Sequence, residues 1–98
     1  DYEVALRAVI ARVQEKYPGV AIVYVVPFLE ASQSSIRAQA RVLDDLAEEI
    51  AGLHVVHTRK WQLTYTDGNL HPDAKGAKKA AEKLSEAMKD ILCEYFFA

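Results

Sequence analysis

The sequence is short of the residues that build whole classes of protein. It carries one cysteine, Cys93, which excludes an internal disulfide framework and any zinc site made of cysteines alone. Only three prolines and four glycines interrupt it. No Gly/Ser tract marks a linker, so residues 1–98 read as one continuous unit. No apolar run approaches the roughly 20 residues that cross a bilayer; the longest, Val20–Pro27 and Tyr95–Ala98, stop far short. Charge of one sign is missing too. Twelve Lys and Arg against fourteen Asp and Glu give a net charge of −2, which makes no electrostatic case for nucleic acid or an anionic membrane surface. No secretory leader opens the chain, which begins at Asp1 inside a helical pattern instead of with Met. That start is the one expected of a chain with sequence missing upstream, and it leaves the compartment unassigned.

What is present suffices for a core: 51% of the residues are hydrophobic and 27% charged. Tyr2, Leu6, Val9, Ile10, Val13 and Tyr17 recur at helical spacing, with Glu3, Arg7, Arg12 and Glu15 turned outward, and Pro18-Gly19 stops that helix. Val20–Val26 follows as an unbroken β-branched run. A strand apolar on both faces belongs in a parallel sheet covered on both sides by helices. Phe28–Ser34 reads as a loop. Ser34 or Ser35 suits the cap of a second helix, whose inner face is Ile36, Ala40, Leu43, Leu46, Ala47 and Ile50. Gly52 stands where a helix C-terminal glycine belongs, and Leu53–His57 is a second strand. Thr66-Asp67-Gly68-Asn69 is a turn signal. Pro72 takes the first-turn position of a third helix running to about Leu92, with Ala74, Ala77, Ala81, Leu84, Met88 and Ile91 inward and Lys75, Lys78, Lys79, Lys83 and Lys89 in water.

The order is α-β-α-β-loop-α, half of a doubly wound α/β sheet. Two strands make a marginal sheet. By the right-handed crossover rule Leu53–His57 lies parallel to Val20–Val26, joined by the second helix. The other edge of Val20–Val26 then needs a partner, either a missing upstream half or a second copy of the chain. Alone, these 98 residues are expected to associate through that edge.

Chemistry concentrates in Asp67-Gly68-Asn69-Leu70-His71-Pro72-Asp73-Ala74-Lys75-Gly76. The stretch follows a strand and leads into a helix, and in open α/β sheets functional groups gather at the carboxyl ends of the strands. A histidine directly before a helix feels the positive end of the helix dipole, which favours the neutral ring. A carboxylate four residues upstream, across a turn, can accept the Nδ1 proton and free Nε2 to take a proton from a nucleophile. The same residues also serve a plainer purpose, with Asp67 shaping a turn and His71 merely opening a helix.

Asp-Gly-x-x-His-Pro-Asp-Ala-x-Gly before an Ala/Lys-rich last helix resembles the final motif block of the SGNH (GDSL-type) hydrolases. These are esterases, lipases and carbohydrate deacetylases. The resemblance implies a flavodoxin-like three-layer α/β/α fold, of which this chain supplies the C-terminal half, with a catalytic triad completed by a serine. It implies His71 as general base, Asp67 as its orienter, an ester or acetylated small-molecule or carbohydrate substrate, and no cofactor. The family's usual spacing puts the Asp at the position of Gly68, so the loop must bulge around Asn69 for Asp67 to reach His71. Its nucleophile and oxyanion-hole blocks are not in this sequence. Ser32, Ser34, Ser35 and Ser85 are the serines present, none in the context of a nucleophile, so the chain alone is expected to be inactive.

Other residues fit lesser roles. Trp61 and Tyr65, before the motif, either line a substrate pocket or pack beneath their loop. His54 and His57, three apart on a strand, face opposite ways and cannot grip one ion, and Asp67, His71 and Asp73 form an open, poorly specified set, so no metal site is expected. Cys93, beside Tyr95-Phe96-Phe97, suits burial or an interface patch. The alternative to an enzyme is a non-catalytic αβ module that assembles through its strand edges.

Overall fold

The computed structural model describes residues 1–66 and 71–96. The elements run α1 (Tyr2–Lys16), β1 (Ile22–Val25), α2 (Ser34–Glu49), β2 (Leu53–Val56) and α3 (Ala74–Phe96). The chain is therefore mixed α/β, with three helices and a two-stranded parallel sheet in which Ile22 pairs with Leu53 and Val25 with Val56. The strand signal is longer than the strands. Val26 still donates to the Val56 carbonyl, and Ile22 to that of Gly52, but pairing stops where Pro27 removes a donor.

The period of two sorts the strand side chains between two apolar clusters. Ile22, Tyr24, Leu53 and Val55 join Leu6 and Ile10 of α1 and Ala40, Leu43 and Leu46 of α2. Val23, Val25 and Val56 join Trp61, Ala80, Leu84, Ala87 and Ile91 on the α3 side. Leu43 and Leu46 are each 1% exposed, as the α2 pattern leads one to expect. An Arg7–Glu49 ion pair ties α1 to the end of α2.

Several local expectations are corrected. The α2 cap is Gln33, without a side-chain bond; Ser34 is already helical. Asp73 caps α3, its Oδ1 accepting from Gly76 N–H at 2.7 Å, which moves Pro72 out of the helix. The inner face of α3 differs from the expected stripe, burying Gly76 and Ala80 while Ala74, Ala77 and Ala81 are exposed. The helix continues beyond Leu92 to Phe96, and Cys93 is exposed, which removes burial, the first of its two expected settings, and leaves the interface patch. On α1, Val9 is 61% exposed, so its apolar face is wider than the surface that covers it. All four residues of β1 are only half-buried. Covering both faces of that strand takes more surface than these helices bring.

Candidate functional site

The carboxyl ends of β1 and β2 carry two separate histidine-containing arrangements. The first is the loop that includes His71. Thr66 donates its N–H to the His71 carbonyl at 2.9 Å, and Asp73 N–H donates to the Thr64 carbonyl at 3.1 Å. Tyr65 and Pro72 form an antiparallel bridge between them. Asp73 also accepts from the Thr64 hydroxyl at 2.6 Å. That hydroxyl and the Gly76 N–H hold its carboxyl below the ordinary 3.8, because both bonds favour the anion. Gly76 is explained by contact: a Cβ there would lie 2.1 Å from the Thr64 carbonyl oxygen. Helix and loop thus approach as closely as backbone allows. The His71 carbonyl accepts from both the N–H and the hydroxyl of Thr66, and the residue is exposed. Asp67, its expected orienter, lies outside the described residues.

Beside this clamp is an apolar cavity of about 500 Å³, lined among others by Val25, Phe28, Trp61, Pro72, Ala81 and Leu84. Trp61 is 8% exposed, its ring centroid 6.0 Å from that of Phe28. It packs beneath its loop and walls the cavity as well. Tyr65 instead fastens the loop to the end of β1, its hydroxyl donating to the Phe28 carbonyl at 2.9 Å.

The second arrangement centres on Glu30, in the loop after β1, and on His57, directly after β2. Glu30 is 0% exposed. A carboxylate buried to that degree requires partners, and it has three. Its Oε1 accepts from Thr58 N–H at 3.0 Å. Oε2 lies 2.9 Å from His57 Nδ1 and 3.4 Å from Arg59 Nη2. On the far side of the ring, His57 Nε2 lies 2.7 Å from Asp44 Oδ1 of α2. Burial pushes Glu30 up, but the His57 and Thr58 hydrogen bonds outweigh it and hold the carboxyl below its ordinary 4.5. Burial likewise pushes His57 down, and the bonds to Glu30 and Asp44 outweigh that and raise it above 6.5. With a carboxylate at each nitrogen, the ring donates twice, which is the bonding of imidazolium.

His54 meets the other end of the molecule, bonding Tyr95 near the end of α3, so His54 and His57 go to different elements. Sequence reasoning missed the partnership of Glu30, His57 and Asp44. The available signal was positional: Glu30 and His57 each follow the end of one of two adjacent parallel strands, where side chains converge. The serines fill local roles or sit on helices. Ser32 donates to the Leu29 carbonyl at 3.3 Å, Ser34 and Ser35 begin α2 and Ser85 is exposed on α3. No family model, no curated protein and no solved structure matches the chain.

Proposed function

We propose that this chain is the histidine-bearing C-terminal half of a serine ester hydrolase of the SGNH type, on a flavodoxin-like fold. One observation carries the reading: an exposed histidine held by backbone pairing directly before the capped helix α3, with Pro72 of the next position forming part of an apolar cavity. A general base needs access to substrate and a fixed position. His71 has an exposed side chain on an anchored backbone. The cavity, at about 500 Å³, falls in the range of small-molecule sites, roughly 300–1,000 Å³, and suits an acyl or acetyl group.

In this reading His71 accepts the proton of a serine hydroxyl as its oxygen attacks the ester carbonyl. The tetrahedral intermediate then collapses to an acyl-enzyme, and the same proton goes to the departing alcohol. Water, deprotonated by His71, releases the acid. Asp67 orients the ring. The serine comes from outside this sequence, from an upstream half that also adds a strand to the half-buried β1.

The test uses the protein that carries this chain, assayed with p-nitrophenyl acetate. His71→Ala is expected to lower turnover by about 10²–10⁴-fold, the usual contribution of a general base, with an unchanged melting temperature. A fluorophosphonate probe is expected to label a serine other than Ser32, Ser34, Ser35 or Ser85. Near-full activity in His71→Ala overturns the assignment.

A further inference from the structure

Arg37 and Arg41 of α2 and Arg59 after β2 together line a cavity of about 180 Å³. That is well below the roughly 300 Å³ at which small-molecule sites begin, and it suits a single functional group. We propose that this cavity binds a doubly charged phosphate group, as the free ion or as the terminal group of a phosphomonoester.

The arginines have little else to do. Arg37 uses Nη1 on the carbonyls of Glu30, at 3.2 Å, and Ala31, at 2.9 Å. Neither Arg37 nor Arg41 has a carboxylate within ion-pair distance among the described residues. Arg59 approaches Glu30 through Nη2. A guanidinium presents five N–H donors in a planar fork, so each retains donors for an oxyanion, and that fork matches phosphate geometry.

Local charge favours the same ligand. Arg37, Arg41, Arg59 and a doubly bonded His57 face two carboxylates, Glu30 and Asp44. Both carboxylates are engaged by His57, leaving two positive charges, the complement of a phosphate dianion. Two of the three arginines are also held in place. The Glu30 backbone and side chain, fully buried, hold Arg37 and Arg59 respectively, and Arg41 lies one helical turn from Arg37. A preorganised cationic site loses less side-chain freedom on binding than free surface arginines do. The cavity lies at the carboxyl ends of the strands, where anionic ligands collect in open α/β sheets. This inference does not depend on the ester-hydrolase reading.

The experiment is NMR titration of the arginine Nε–Hε signals of the full chain with inorganic phosphate, phenyl phosphate and acetate at low ionic strength. Saturable shifts of Arg37, Arg41 and Arg59 are expected with both phosphates, in the millimolar range and weakening as salt is added. Acetate, with one charge and two oxygens, is expected to bind at least about tenfold more weakly, and Arg41→Gln to weaken phosphate by about tenfold, the loss of one charge-assisted contact. Arg41 makes no hydrogen bond or ion pair among the described residues, so this variant keeps the fold. Lys78→Gln on α3 is expected to change nothing. Phenyl phosphate binding as tightly as inorganic phosphate points to a phosphomonoester, and tighter inorganic phosphate to the free ion. Either outcome supports the site. Shifts that do not saturate, equal binding of acetate, or unchanged binding in Arg41→Gln overturn it.

Discussion

His57 and His71 both stand at the carboxyl ends of the parallel strands, yet their side chains have opposite surroundings. His57 stands half-buried between the loop after β1 and α2, and each ring nitrogen meets a carboxylate. His71 has its backbone pinned and its side chain exposed. The difference teaches how to tell a histidine that holds a fold together from one left open to solvent. Donation from both nitrogens leaves no lone pair to accept a proton, so His57 is excluded as a general base while its partners remain. An exposed ring on a fixed backbone keeps that capacity. Proximity to the strand ends does not separate the two; hydrogen-bond saturation does.

The comparison breaks most visibly at Glu30. Glu30→Ala removes a buried carboxylate, orphans the Thr58 N–H and strips His57 Nδ1 and Arg59 of a partner. Losses of about 1–3 kcal/mol for an unsatisfied buried donor and about 3–5 for a broken buried pair bracket the expectation, near 3 kcal/mol. Urea denaturation measures it. A loss below about 0.5 kcal/mol, the range of surface substitutions, removes His57 from the structural role assigned to it.

On the His71 side, Gly76→Ala is expected to reverse the usual helix preference. Alanine is better than glycine inside a helix by about 1 kcal/mol, but here its Cβ meets the Thr64 carbonyl. Overpacking of that kind costs about 1–3 kcal/mol, so a net loss of up to about 2 is expected in the same urea denaturation. A stabilised Gly76→Ala shows that the loop yields and that His71 is less firmly placed than the hydrogen bonds imply.

A third measurement sharpens the contrast through pH. His57, raised above 6.5, contributes its stability fully below that value and loses it as pH rises through the raised value. Glu30, lowered below 4.5, contributes above that value and loses it as pH falls. Stability is therefore expected to be greatest between the ordinary values of 4.5 and 6.5 and to decline on both sides. In His57→Gln the alkaline decline is expected to vanish. If wild type and variant fall in parallel above neutrality, the ion-paired ring is not the cause.

The smallest effect belongs to His71→Ala. Its exposed side chain makes no hydrogen bond among the described residues, and its loss is expected to change stability by no more than about 0.5 kcal/mol. A larger loss in the denaturation midpoint means that the ring itself supports the loop, and the two histidines then differ less than their surroundings suggest.

How much was legible in the sequence depended on the range of the interaction. Periodicity placed all three helices, the parallel pair of strands and the α2 core, since Ala40, Leu43 and Leu46 repeat at helical spacing and are buried as a set. Caps were less legible. Serine and proline have strong preferences at helix starts, but Asp73 made the better cap for α3 because Thr64 and Gly76 were both in reach. The His71 block was visible because its residues are contiguous.

The sequence by itself determined the elements, their order, the alternation that divides β1 and β2 between two apolar clusters, and the position of His71 at the entry to α3. These follow from interactions between residues a few positions apart, which spacing encodes directly. Only the tertiary structure decided that Glu30, Asp44 and His57 form one cluster, that Trp61 walls a cavity, and that Arg37 and Arg41 face Arg59. Those side chains come from segments up to dozens of residues apart. They meet because the crossover from β1 through α2 to β2 brings the ends of two strands and one side of a helix to one place.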